Sequence, residues 1–165
     1  MFTGVDDLFE RIDPDNNLHI NLDRCNYFTI DEFNTKFDND AGNYLLLNQN
    51  LQSFRSKQPL LEVFLDSISL PFHTLVITET WNESAYLNLC NIENFSAVHT
   101  YRDRPDRSTH GGVGGGVSIF CNSHIYNIKK LDTLSLCNST IETCVARISK
   151  KNDVSKEHFV VGVSV

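Results

Sequence analysis

Two short segments hold the residues whose types and spacing could do chemistry. In YLLLNQNLQS an apolar run ends on Asn48, and in LVITETW another ends on Glu79. If both runs are strands of one open α/β sheet, their C-terminal ends lie where such a sheet builds its site. A carboxylate there is a natural ligand for a hard cation such as Mg²⁺, which prefers oxygen donors and keeps several waters. A neighbouring amide can hold a second carboxylate or a phosphate oxygen without adding charge. Each residue also has a plainer reading: an Asn after an apolar run is commonly a turn residue, and a Glu is commonly where a strand meets water. The pair gains weight because a unit of the right length joins them.

That unit is strand, helix, strand. YLLLN suits a buried strand. Ser56 is the expected cap of a helix with Pro59 in its first turn, and Leu60, Leu61, Phe64, Leu65 and Ile68 recur at helical spacing until Pro71. HTLVITETW carries β-branched residues on both faces, as a strand covered on both sides does. A parallel pair joined by a right-handed crossover is therefore expected. Beyond Trp81 the pattern turns to β, with strands expected near Phe95–Tyr101, Gly116–Cys121, Ile141–Ile148 and His158–Val165. The last runs to the final residue with no polar tail, which we take as a sign of truncation.

Residues 1–43 read as an acidic extension with weak structure, and residues 44–165 as a partial domain. VDDLFERI matches a short amphipathic helix through Val5, Leu8, Phe9 and Ile12, and Thr29 with Glu32 has capping-box spacing. PDNN and DNDAGN are turn-rich. The formal charge of −7 belongs to this extension: ten of the 21 acids and three of the 14 bases lie in residues 1–40, leaving eleven of each in the body. A neutral body is compatible with nucleic acid, because bases can gather on one face. The 165 residues, 41% hydrophobic and 21% charged, have the profile of one ordinary globular domain. No apolar run reaches membrane-spanning length and the acidic start is unlike a signal peptide, so an intracellular location, nuclear or cytoplasmic, is expected.

Other patterns carry less. The five cysteines form no CxxC pair and read as free thiols. The N-x-S/T matches at Asn82, Asn94 and Asn138 are taken as chance. DPDNNLHINLDR imitates a calcium loop, but Leu18 replaces the turn glycine and Arg24 the bidentate Glu. GGVGGG lacks the lysine and hydroxyl residue of a phosphate loop and precedes a strand. His73, His99, His110, His124 and His158 have no ligand spacing, and none reads as a general base. The segment Tyr101–Arg107 is arginine-rich but diluted by Asp103 and Asp106, so a solvated loop and a DNA-phosphate contact both stand.

The order of motifs adds a resemblance. N-x-N-x-x-S, an amphipathic helix, L-x-I-T-E-T-W, then RDRPDRSTHGGVGGGVSIF, and Glu142 opening IETCVARI, resemble the front half of the endonuclease domain of non-LTR (LINE, jockey-like) retrotransposons. That domain belongs to the endonuclease/exonuclease/phosphatase superfamily, and the likeness runs from about Cys25 to Val165. It implies an α/β fold, the N-terminal half of a four-layer α/β sandwich of the DNase I-like kind. It implies Mg²⁺- (or Mn²⁺-) dependent phosphodiester hydrolysis, with Glu79 as catalytic metal-binding carboxylate and Asn48 organising site and phosphate. Arg102, Arg104 and Arg107 would touch DNA, the partner expected of the complete parent domain; no membrane and no small-molecule cofactor is expected. The family's later residues, a tyrosine, an Asp-x-Asn pair, a further aspartate and a closing Ser-Asp-His, have no counterparts in this chain. The parent is therefore expected to nick target DNA to prime reverse transcription, and this chain alone to be inactive. Two alternatives stay open: a non-catalytic remnant or binding module, and another phosphodiesterase of the superfamily. The reading frame beyond Val165 discriminates among them. An uncovered sheet face is also expected, and with it poor solubility.

Overall fold

A computed structural model describes residues 29–37, 44–81, 89–101, 114–138 and 141–164. The VDDLFERI helix, Arg102, Arg104 and Arg107 lie outside these residues. The described chain is a mixed α/β structure with two sheets and two helices: α1 (Ile30–Phe37), β1 (Leu46–Asn50), α2 (Phe54–Ser67), β2 (Thr74–Thr78), β3 (Phe95–Thr100), β4 (Val117–Asn122), β5 (Tyr126–Lys130), β6 (Leu136–Cys137), β7 (Glu142–Lys150) and β8 (Asp153–Ser164).

The first sheet has the order β1-β2-β4-β3, with β1 and β2 parallel and the other pairs antiparallel. β2 is the strand that needs cover on both faces. Leu75 and Ile77 pack with Phe54, Leu61, Ile68, Phe72 and Phe120 on the helical side. Val76 packs with Val117, Ile119 and Cys121, and against Cys144, Ala146, Ile148 and Val160 of the second sheet. The second sheet runs β5-β7-β6, with β8 on β7 as well. The layers are thus helices, sheet and sheet. The outward residues of β8, Phe159, Val161 and Val163, stay 64%, 57% and 47% exposed, so among the described residues nothing covers that face.

Several local expectations need correction. α2 starts at Phe54 rather than after Ser56, and its cap position, Ser53, makes no side-chain capping bond. Tertiary contacts set this start: Phe54 donates its N–H to Thr80 O at 2.8 Å, and its ring stacks on Phe120 at 5.4 Å. Pro59 consequently lies past the first turn, where its missing N–H interrupts the helical ladder. Leu60, expected on the packed side, is 65% exposed. β5 and β6 were not expected, and β8 begins five residues before His158, at Asp153.

The capping box forms: Glu32 N–H donates to Thr29 Oγ1 (3.3 Å), and Thr29 N–H to Glu32 Oε2 (2.8 Å). α1 is also docked. Phe33 packs on the helical core, and Asn34 bridges the end of α2, donating to Ser67 O and accepting from Ser69 N–H, both at 2.9 Å.

Candidate functional site

Glu79 stands one residue past β2, half-buried, at φ 54°. This left-handed backbone is costly for a side-chain-bearing residue, about 1 kcal/mol or more, and persists only where the surroundings fix it. They fix it from both sides. The β1–α2 turn, itself left-handed at Gln52 and Ser53, donates Ser53 N–H to Glu79 O at 2.8 Å. On the other side Thr80 and Trp81 donate their N–H groups to Gly116 O (3.2 Å) and Gly115 O (3.0 Å).

The Glu79 carboxylate collects three donors. Oε2 accepts from Gly115 N–H at 2.9 Å and from the Trp81 indole N–H at 3.0 Å, and Oε1 accepts from the Ser164 hydroxyl at 2.5 Å. Gly115 lies two residues before β4 and Ser164 ends β8, so the carboxylate links the two sheets. Gly115 and Gly116 have φ of +93° and +88°, which only glycine adopts readily. A Cβ at Gly116 would also collide with Thr80 Oγ1, a buried hydroxyl with no hydrogen-bond partner among the described residues.

Behind Gly115 lies a second carboxylate. Glu142, the first residue of β7, is 1% exposed, and its Oε2 accepts the Gly116 N–H. In the sequence Glu142 is marked only by the family resemblance. Nothing in the local sequence marks Ser164; only its register opposite Glu142 does.

Asn48 is not at the mouth of its strand. It sits mid-strand and exposed opposite Val76, while β1 continues to Asn50 opposite Thr78. Glu79 lies three residues beyond the level of Asn48, roughly 10 Å along the strand direction. Asn48 and Asn50 share a face by the strand's period of two, and Asn50 is the amide at the Glu79 end. The arginines of the 102–113 segment are not described, but both ends of that segment are. It leaves from Tyr101, just after β3, and returns at Gly114, where a Cβ would lie 3.5 Å from Glu79 Oε2.

Three of the described histidines, His73, His99 and His158, take structural places. His99 accepts or donates at 2.8 Å with Ser118 Oγ, and burial lowers its pKa to about 4. His73 and His158 lie at the opposite end of the first sheet, in ring contact with Tyr44 (5.2 and 4.3 Å). There Leu45 N–H donates to His73 Nδ1 at 2.9 Å, and burial lowers that imidazole too. Cys121, Cys137 and Cys144 form no disulfide among the described residues, and burial pushes Cys121 up to about 11. A groove of about 560 Å³ beside Asp66, Phe72 and Asn122 also lies away from Glu79, at the far end of β2 and β4.

Among the described residues no group of three or more His, Cys, Asp or Glu side chains could hold a metal ion, and none of their helices is long and apolar enough to cross a membrane. The donors present amount to one carboxylate, Glu79, where a hard cation would need water and a ligand's oxygens to complete its shell. They do not form a closed cage. No protein-family model matches the sequence, and no curated protein matches it.

Proposed function

We propose that these residues are the front part of a metal-dependent DNA endonuclease domain of the non-LTR retrotransposon kind, with a DNase I-like sandwich fold in the complete protein. One observation supports this most. ITETW, GGGV and Glu142, separate in sequence, meet at the Gly115–Gly116 turn, whose successive N–H groups donate to Glu79 and to Glu142. In this reading Glu79 holds Mg²⁺ or Mn²⁺ against the scissile phosphate. The cation supplies charge stabilisation for the phosphate and acidifies a bound water. The chain's own part is to aim the carboxylate through Gly115, Trp81 and Ser164, and to present the Asn50 end of β1 beside it. The arginine-bearing segment, rooted at Tyr101 and Gly114, would meet the DNA backbone from the same edge.

A second reading has its own observation. Glu79 already accepts three donors from its own chain, as a purely structural carboxylate would, and that favours a non-catalytic binding remnant.

Nicking of supercoiled plasmid separates the two, using the full open reading frame that contains these residues. The endonuclease reading expects Mg²⁺- or Mn²⁺-dependent conversion to open circles, lowered on the order of a hundredfold or more by Glu79→Ala. The 165-residue chain alone is expected not to nick. Equal nicking by the variant, or none by the full frame, sinks the endonuclease reading.

A further inference from the structure

Glu142 is a carboxylate that the proposed reaction does not use, in a place where burial penalises charge heavily unless it is hydrogen-bonded. Its Oε2 is met by the Gly116 N–H. The preceding N–H, of Gly115, points instead to Glu79 Oε2 at 2.9 Å. Consecutive amides of one glycine pair thus serve two different carboxylates. The fit is close: a Cβ at Gly115 would overlap the Glu142 carboxylate, so that group lies directly against the turn. A second route leads to the same place. Glu142 is the register partner of Ser164 across β7 and β8, and Ser164 donates to Glu79 Oε1 at 2.5 Å.

We propose that Glu142 is a positioning residue for Glu79: by holding Gly116 N–H it fixes the Gly115–Gly116 turn so that Gly115 N–H meets the Glu79 carboxylate. What Glu79 then does rests on the proposed function; the positioning itself does not. Glu142 works by reach and hydrogen bonding, not as a second metal ligand. Carboxylates that orient a ligand from behind have large effects on metal affinity, although they never touch the ion.

Two variants pull reach and charge apart. Glu142→Gln keeps an acceptor oxygen at the same distance and removes the charge. Glu142→Asp keeps the charge and withdraws it by one methylene. The chain has a single tryptophan, whose indole N–H bonds Glu79, so its proton resonance and its emission both read that carboxylate. In the ¹⁵N-labelled full chain, Glu142→Asp is expected to shift the Trp81 indole and Gly115 amide protons upfield, while Glu142→Gln leaves them in place. In Mn²⁺ titrations followed by Trp81 emission, Glu142→Asp weakens binding by on the order of ten- to a hundredfold, and Glu142→Gln by no more than about threefold.

The resonances report only folded molecules, so loss of stability alone does not move them. If Glu142→Asp does not fold, Glu142→Met, similar in length but with neither charge nor a strong acceptor, takes its place in the comparison. Unchanged resonances in Glu142→Asp overturn the proposal. So does a loss in Glu142→Gln equal to that in Glu142→Asp, which would make the charge the active property. If the wild-type chain binds no Mn²⁺, the metal reading of Glu79 fails, and the resonance shifts still decide the positioning.

Discussion

Gly162 sits two residues before the end of β8, against Val117 and Val76 of the first sheet, and the close approach of the layers depends on its lack of a side chain. A Cβ there would lie 2.5 Å from Val117 Cγ1 and 2.9 Å from Val76 Cγ1, both on fully or nearly fully buried valines. Its backbone is not left-handed, so the penalty for Gly162→Ala is steric alone. Overfilling a packed core costs about 1–3 kcal/mol, and the reduced entropy of the unfolded chain returns about 0.4–1 kcal/mol. A net loss of roughly 1–2 kcal/mol follows, read as a lower urea midpoint at unchanged slope. Val117→Ala alone removes two carbons from the core and costs about 2 kcal/mol. Together the two changes relieve each other, so the double variant should be more stable than the sum of the singles by about 1 kcal/mol. Because β8 carries Ser164 to Glu79, Gly162→Ala should also change Trp81 emission. Wild-type stability in Gly162→Ala, or strict additivity with Val117→Ala, would refute this account of how the layers meet.

Two further outcomes follow from burial. His99 is held to about 4, chiefly by burial and secondarily by Lys130, against an ordinary value near 6.5. Its folded pKa is lowered, so the stability it contributes is complete above about 6.5 and drains away as pH falls toward 4, by at most about 3 kcal/mol. His73 shifts in the same direction, for burial and for the nearby His158 and Lys150, and adds to the loss in the same window. His99→Gln should flatten the pH dependence of the urea midpoint between pH 7 and 5, and a parallel pH profile would count against the assignment. The outward face of β8 predicts self-association: FVVGVS is uncharged, three of its apolar side chains are exposed, and one edge of β8 has no partner among the described strands. Sedimentation should show concentration-dependent association that Val161→Lys reduces, and a wild-type chain monomeric at all concentrations would argue against it.

What could be read from the residues, and what could not, divides along physical lines. β2 and β4 were legible because a strand covered on both faces must be apolar throughout, and TLVIT and VSIFCN are nearly so. The Thr29–Glu32 cap was legible because it is local. β5 was missed because YNIKK alternates exposed polar residues with a half-buried Ile and Lys, and β6 because a two-residue strand has no period. The polar first half of β8 hid its start for the same reason. α2 starts three residues before the place a Ser56 cap predicts, because Ser56 and Pro59 imitate a helix start, while Phe54 begins it through contacts with Thr80 and with Phe120 of β4, far away in sequence.

The site divides in the same way. Glu79 is legible as a strand-end carboxylate because it follows an apolar run. The neighbouring amide was placed at Asn48 rather than Asn50, since N-x-N puts both on one face and only the register with β2 shows where the strand stops. The partners of Glu79 needed more than a strand end. Gly115 serves it because two left-handed glycines turn one N–H toward each carboxylate, and Ser164 serves it because β8 is long enough to bring its last residue back across the first sheet. Each of these partners depends on where a different strand ends. A substitution that shifts any of these registers by one residue would reverse which face its side chains point to and release Glu79, even with every residue of the motif intact.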